Sequence, residues 1–176
     1  MLDREKLLAL AREIAGADWL GAEGELDRLV VSLRAPAAHR LLAALKAGAA
    51  DTGLAPFELL VDLTAVDYLT YPEPRPTRFA VVYQIYSFAA DARLRVKAYV
   101  PEAEPELESV TGLWPAAGWL EREAGEMFGI IFLGHPDPRK LLLPEDFAGF
   151  PLRKDYPLAG RGERENFPPY TALEES

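Results

Sequence analysis

The residues from Glu121 to Leu158, EREAGEMFGIIFLGHPDPRKLLLPEDFAGFPLRKDYPL, constrain what this chain can fold into more than any other stretch. They open as a charged helix that closes on Gly129, a residue able to take the left-handed conformation that ends helices. Pro136, Pro138, Pro144, Pro151 and Pro157 then forbid a long helix, because each removes a backbone donor and clashes with the preceding turn. Yet Leu141, Leu142, Leu143, Phe147, Phe150 and Tyr156 make the run too apolar for a solvated tail. A compact domain rarely carries so long a structureless segment on its own account. The physical solution is an extended arm laid on a surface, part of which belongs to another chain. The expectation is a docking protein.

Composition narrows the classes. A chain of 176 residues, 49% hydrophobic, is enough for one domain with a sizeable core, and no apolar run is long enough to span a bilayer. Met1–Ala11 is amphipathic and charged, unlike a signal peptide, so the expected compartment is the cytoplasm. The formal net charge of -9 argues against nucleic acid as a partner and against direct binding of anionic lipid, and no direct membrane insertion is expected. With Cys at 0, disulfides, thiolate zinc sites, cysteine nucleophiles and cysteine-held iron–sulfur clusters are excluded for this chain.

Taken in order, the chain predicts a helix over about Asp3 to Ala15, with Leu7, Leu10, Ala11 and Ile14 as its core stripe. Gly16 to Gly24 reads as a turn region. Leu29, Val31 and Leu33 alternate with Arg28, Val30 and Ser32 as a strand. A helix from Pro36 carries Leu41, Leu42 and Leu45 and closes near Gly48, with His39 on its surface. Phe57, Leu59, Val61 and Leu63 predict a second strand. Phe79 to Phe88 is apolar on both parities until Gln84, as in a central strand. After a tight turn at Asp91-Ala92, Leu94, Val96, Ala98 and Val100 face the core, and Arg93, Arg95 and Lys97 form a cationic ladder opposite. That ladder either docks something or pairs with Glu58 and Asp62. Beyond an acidic loop, Pro101 to Pro105, a short helix is expected over Leu107 to Leu113. Another opens at Pro115 with Trp119, Leu120, Ala124 and Met127 along one side. The pattern predicts an α+β two-layer domain with a largely antiparallel sheet over residues 1–133, and an extended docking arm and tail over 134–176 of the same unit. Arg161 to Ser176, polar and Pro-containing, reads as loose.

The candidates for chemistry have plain structural readings. Glu121, Glu123 and Glu126 surround Arg122 on one helix, where Arg122 can bridge to Glu126 four residues on. Gly125 within that helix suggests close approach of a neighbouring backbone. His135 and Asp137 are too few for a metal site, and fit a turn in which His135 makes hydrogen bonds and Asp137 caps or pairs with Arg139. Arg139-Lys140 and Arg153-Lys154-Asp155 lack the glycine-rich loop and helix start of a phosphate site. A free-standing hydrolase built on Glu121, Glu123, His135 and Asp137 is the rival reading, and it predicts activity in the isolated chain.

The string Glu121-Arg122-Glu123, Glu126-Met127-Phe128-Gly129, Gly134-His135-Pro136-Asp137, Arg139-Lys140 and Gly149, Pro151-Leu152-Arg153-Lys154-Asp155-Tyr156-Pro157-Leu158 resembles the C-subunit family of NADH–quinone oxidoreductase, respiratory complex I. Thr64-Ala-Val-Asp-Tyr68, Arg78-Phe79, Val82-Tyr83, Arg95-Val-Lys97 and Trp119 look like the same family. Against the family pattern, Glu126 stands for Asp, Gly118 for Asn, Gly125 for a bulky residue, Pro138 for Leu and Phe150 for His. The resemblance implies a non-redox subunit of the hydrophilic arm, peripheral on the cytoplasmic side of the inner membrane. Its implied main neighbour is the complex I D-subunit, which shapes the quinone site, with other hydrophilic-arm subunits nearby. The holo-complex would use NADH, FMN, iron–sulfur clusters and quinone and pump protons, while this chain would hold no cofactor or metal and no catalytic residue. Subunits of membrane-bound hydrogenases and of ferredoxin-fed relatives share the resemblance.

Overall fold

The structure, a computed structural model, describes residues 2–24, 29–49 and 53–162. Arg28 and most of the C-terminal stretch expected to be loose lie outside the described residues. The first helix, α1 (Arg4–Ala15), starts where the Asp3 carboxylate accepts the Lys6 N–H at 3.1 Å, satisfying a donor that the first turn leaves free. Leu7, Leu8, Ala11 and Ala15 turn inward from it.

The expected turn at Gly16 to Gly24 is instead a 3-10 turn followed by a strand, β1 (Trp19–Glu23). It pairs antiparallel with β2 (Val30–Arg34), with an irregularity between Trp19 and Gly21. The glycines marked the bulge, and pairing with β2 supplied the strand, which local composition does not reveal. Helix α2 (Ala38–Ala47) follows a 3-10 turn over Ala35–Ala37 and buries Ala38, Leu41, Leu42 and Leu45.

Strands β3 (Leu59–Asp67), β4 (Phe79–Ser87) and β5 (Ala92–Val100) complete a sheet of order β1-β2-β5-β4-β3. Only β2 and β5 run parallel; the other pairings are antiparallel. The fold is therefore α+β, with a mostly antiparallel sheet packed by helices. A bulge between Leu60 and Asp62 changes the face of β3, so Leu60, Leu63, Ala65 and Asp67 are buried while Leu59 and Val61 are exposed. The simple alternation from Phe57 to Leu63 is thus broken by one extra residue.

The helix expected over Leu107 to Leu113 is absent. Its first residues form β6 (Glu106–Glu108), which pairs in parallel with β7 (Ile131–Leu133), and turns follow. That partner strand lies more than twenty residues downstream, so no local pattern could announce it. Helix α3 (Ala117–Phe128) packs between the two sheets. Its buried residues are Ala117, Glu121, Ala124, Glu126 and Phe128. Trp119, read along one side of the helix with Leu120, Ala124 and Met127, is 62% exposed. Ala117, Glu121, Ala124 and Phe128 form a regular helical stripe, hidden in the sequence because a glutamate sits within it.

Candidate functional site

The described residues place α3 and the segment after β7 in one polar–apolar assembly on the domain. Glu121 is buried. Its two oxygens accept from the Ser109 hydroxyl at 2.6 Å and the Val110 N–H at 2.7 Å. Burial pushes its carboxyl above the ordinary glutamate range, although those two hydrogen bonds oppose the shift. His135 Nε2 lies 3.0 Å from the Gly118 carbonyl, and its Nδ1 accepts the Asp137 N–H at 3.0 Å. These partners select the neutral tautomer with the proton on Nε2. The Glu121 carboxylate is 3.9 Å from the same nitrogen.

Arg122 does not bridge to Glu126. It donates instead to the carbonyls of Arg139 at 2.7 Å and Lys140 at 2.8 Å, with Asp137 3.6 Å away. Asp137 holds Arg139 through two bonds of 2.6 and 2.8 Å, the pairing its position suggested. The Arg139 bonds hold the Asp137 carboxyl far below its usual range. Glu126 accepts the backbone N–H groups of Leu141, Leu142 and Leu143 at 2.9, 2.8 and 3.2 Å. Three consecutive amides thereby wrap one carboxylate, as in an anion nest. Lys140 donates to the carbonyls of Pro144, Glu145 and Phe147, which closes the next loop. Backbone groups that prolines left without a ladder are thus satisfied by charged side chains.

Further on, the arm returns to the sheet. Gly129 caps α3 at φ 74°, and a Cβ there would stand 2.7 Å from the Phe150 ring and 2.5 Å from the Arg153 guanidinium. The Leu152 N–H donates to the Met127 carbonyl at 3.1 Å, and Arg153 Nε donates to the Phe128 carbonyl at 2.6 Å. Arg153 also stacks on Phe150 and Phe79, 4.4 and 5.0 Å from their centroids. The Lys154 N–H reaches Asp67 at 2.9 Å, and Asp155 pairs with Arg78 at 2.8 Å. Arg78 makes two bonds to the buried Asp67, at 3.0 and 2.8 Å. Burial works to raise the Asp67 carboxyl, yet the Arg78 bonds and two backbone N–H groups hold it below the ordinary range. Gly149, at φ 124°, is covered by the Tyr156 ring.

Of the residues singled out in the sequence, Glu121, Arg122, Glu126, Phe128, Gly129, His135, Asp137, Arg139, Lys140, Arg153, Lys154 and Asp155 join this assembly. Glu123 points to solvent, and Gly134, Pro136, Pro151 and Pro157 shape the turns of the chain. The hydrolase grouping does not converge: Glu123 is outside, Asp137 is held by arginine, and both His135 nitrogens are engaged. Among the described residues no cluster of three or more His, Asp or Glu could hold a metal. At Gly125 a Cβ would lie 3.0 Å from the Ile130 carbonyl, which is the close backbone approach its sequence position suggested. A cavity of about 310 Å³ lies beside that glycine, walled by Ile130, Phe132, Pro138 and Phe150. Reading the residues alone missed Asp67, Arg78 and Ser109 as structural partners. Asp67 carried a signal, because it continues the buried parity of Leu63 and Ala65.

Exposed apolar side chains remain around this assembly. Trp119, Ile131, Leu133, Leu142, Leu152 and Leu158 are each at least 45% exposed. No helix among the described residues is long and apolar enough to cross a membrane.

Comparison with known proteins gives the chain its relatives. The NADH-quinone oxidoreductase subunit 5 of Thermus thermophilus is 55% identical over 107 residues, which are 58% of this chain and 52% of that protein. The chain thus spans about half the length of that curated relative. The C-subunit of the Phenylobacterium zucineum NADH-quinone oxidoreductase is 44% identical over 158 residues, 89% of this chain and 71% of that one. A solved trypsin-resistant fragment of Nqo5 superposes with a TM-score of 0.64 at 41% identity, over 76% of this chain and 97% of the fragment. A chain of an archaeal membrane-bound sulfane sulfur reductase shares the fold, with a TM-score of 0.70 at 20% identity over 97% of this chain and 95% of that one. The family described as the respiratory-chain NADH dehydrogenase 30 Kd subunit matches residues 32–162. The chain belongs to that family.

Proposed function

We propose that this chain is a non-redox subunit of the hydrophilic arm of an NADH–quinone oxidoreductase, peripheral on the cytoplasmic side of the membrane. There it supports NADH-to-quinone electron transfer, coupled to proton translocation, by docking against the D-subunit that shapes the quinone site. The observation that carries this reading is the division of labour along the arm. Lys140 and Arg153 of the arm donate to backbone carbonyls and Glu126 of α3 accepts the arm's amides, while Leu142, Leu152 and Leu158 are left outward. Exposed apolar side chains grouped on a rigid support mark a protein interface, and such anchors carry most of the binding energy. With Cys at 0 the chain has no thiolate for an iron–sulfur cluster, and on this reading FMN, clusters and quinone are held by its partners.

The test replaces outward anchors that the fold does not use. Leu142→Asp and Leu158→Asp should leave circular dichroism and the melting temperature unchanged. Each should cut recovery of the chain with the D-subunit from purified complex by about tenfold or more, since losing an anchor commonly costs about 2 kcal/mol. Full recovery of both variants would show that this face is not the docking element.

A further inference from the structure

The cationic ladder of β5 takes no part in the arm assembly. Leu94, Val96, Ala98 and Val100 are buried, and Arg93, Arg95 and Lys97 fall on the other parity. The carboxylates expected to neutralise them form no ion pair with them among the described residues. Glu58 accepts the Phe88 N–H at 3.0 Å, and Asp62 accepts the Leu63 N–H at 2.9 Å. Lys97 lies 3.6 Å from Glu23. Gln84, with its amide oxygen turned to the guanidinium, holds Arg95 by bonds of 2.8 and 3.0 Å and brings no opposing charge of its own. Arg93 is exposed and has no hydrogen bond or ion pair among the described residues. Beside the two guanidiniums is an open hollow of about 360 Å³, with Val61, Leu29 and one carboxylate, Asp62, in its wall. Val61 is 48% exposed, and at the end of β4 Phe88 is 64% exposed, edge-on to Tyr86 at 5.1 Å.

We propose that this outer sheet face, centred on Arg93, Arg95, Val61 and Phe88, docks an acidic, extended segment of a partner polypeptide. Charge selects the occupant. On a chain of net charge -9, two arginines that form no ion pair among the described residues and outnumber the single carboxylate of the hollow attract a short acidic stretch, while the surplus of negative charge repels a long polyanion such as nucleic acid. Spacing selects its form. Residues two apart on a strand sit about 7 Å apart on one face, the spacing at which alternate side chains of an extended peptide recur. A guanidinium offers a planar fork that takes a carboxylate in two bonds. The hollow against Val61 takes an apolar side chain, and the exposed Phe88 beyond the end of β4 offers an aromatic contact.

The test uses the native assembly purified through the full-length chain. Phenylglyoxal, which modifies accessible arginines, should modify Arg93 at least about tenfold more slowly in the assembly than in the free chain, read by mass spectrometry of the digested protein. In a second arm, Arg93→Lys is assembled and treated with a carbodiimide, which joins amines to neighbouring carboxylates. The expected product links that position to an Asp or Glu in an acidic segment of another subunit. Equal phenylglyoxal reactivity overturns the proposal. So does a link only to Asp62, to another carboxylate of this chain or to a second copy of it, or protection that is lost on lipase or nuclease treatment. An assembly that retains the chain with Arg93 fully reactive leaves arm docking standing and removes this inference alone.

Discussion

Glu126 is the residue on which the start of the arm depends. Its carboxylate occupies three backbone N–H groups that have no other partner among the described residues, and it does so at 7% exposure. Glu126→Gln keeps the shape but loses the charge and places an amide N–H against other donors. Hydrogen bonds to a charged group contribute about 1.5–3 kcal/mol, so the variant should be about 2 kcal/mol less stable in urea. Limited proteolysis should cut it faster between Lys140 and Phe150, with no change in α3. Asp67 makes the matching contribution at the end of the arm. Its folded carboxyl titrates below the unfolded value of about 3.9. The stability it contributes is therefore present above that value and lost as pH falls through the lower folded one. Asp67→Asn should cost about 3 kcal/mol at pH 7, because it leaves the arginine of a buried pair under-compensated. The loss should shrink as both proteins are taken toward pH 3, and urea titrations at several pH values measure it.

At the scale of elements, the C-terminal end of α3 is the hinge between helix, β7 and returning arm. Gly129 must take the left-handed conformation there, and its missing side chain is the space into which Phe150 and Arg153 fit. Gly129→Ala adds backbone strain and forces the two side chains aside. Its expected cost is about 2 kcal/mol, with faster cleavage between Phe150 and Leu158. Urea unfolding together with trypsin digestion separates that outcome from a purely local strain, which would leave the cleavage rate unchanged. The elements that sequence reasoning missed share one cause. β1 and β6 are short, and each exists because another strand pairs with it, the adjacent β2 for β1 and the distant β7 for β6. The helices and β4 and β5 were legible because their periodicity is carried by enough residues to stand alone. The stripe of α3 was shifted because Glu121 and Glu126 are buried, and a pattern of apolar residues cannot register an acid whose partners are Ser109, Val110 and the amides of the arm.

For the whole molecule, the arm joins the domain at both of its ends. The sequence suggested a segment that begins on its own domain and passes to a partner further on. In the structure the stretch from Phe150 to Tyr156 returns to β3, β4 and the end of α3. Ending the chain after Gly149 should therefore do more than abolish docking. It uncovers Phe79 and removes the Lys154 amide and the Asp155 carboxylate from the Asp67–Arg78 pair. A cooperative unfolding transition should persist, because the strands all lie upstream, but at about 3 kcal/mol lower stability. Calorimetry of the truncated chain checks this. An unchanged melting temperature would show that the return contacts contribute nothing to the fold.

The sequence by itself determined the fold class, the place of the central strands, the absence of thiolate chemistry and the presence of an apolar arm that prolines keep from forming a helix. These follow from local rules: side-chain periodicity, the missing proline donor and the chemistry of the residue types present. Only the tertiary structure decided where the charges of that arm are used. Glu126 faces three backbone amides rather than Arg122, Arg122 faces carbonyls, and Asp67 meets an amide 87 positions away in the chain. A charge beside a charge in sequence looks like an ion pair. Backbone groups deprived of a ladder are the stronger claimants, because each costs more to bury unpaired than a surface ion pair contributes.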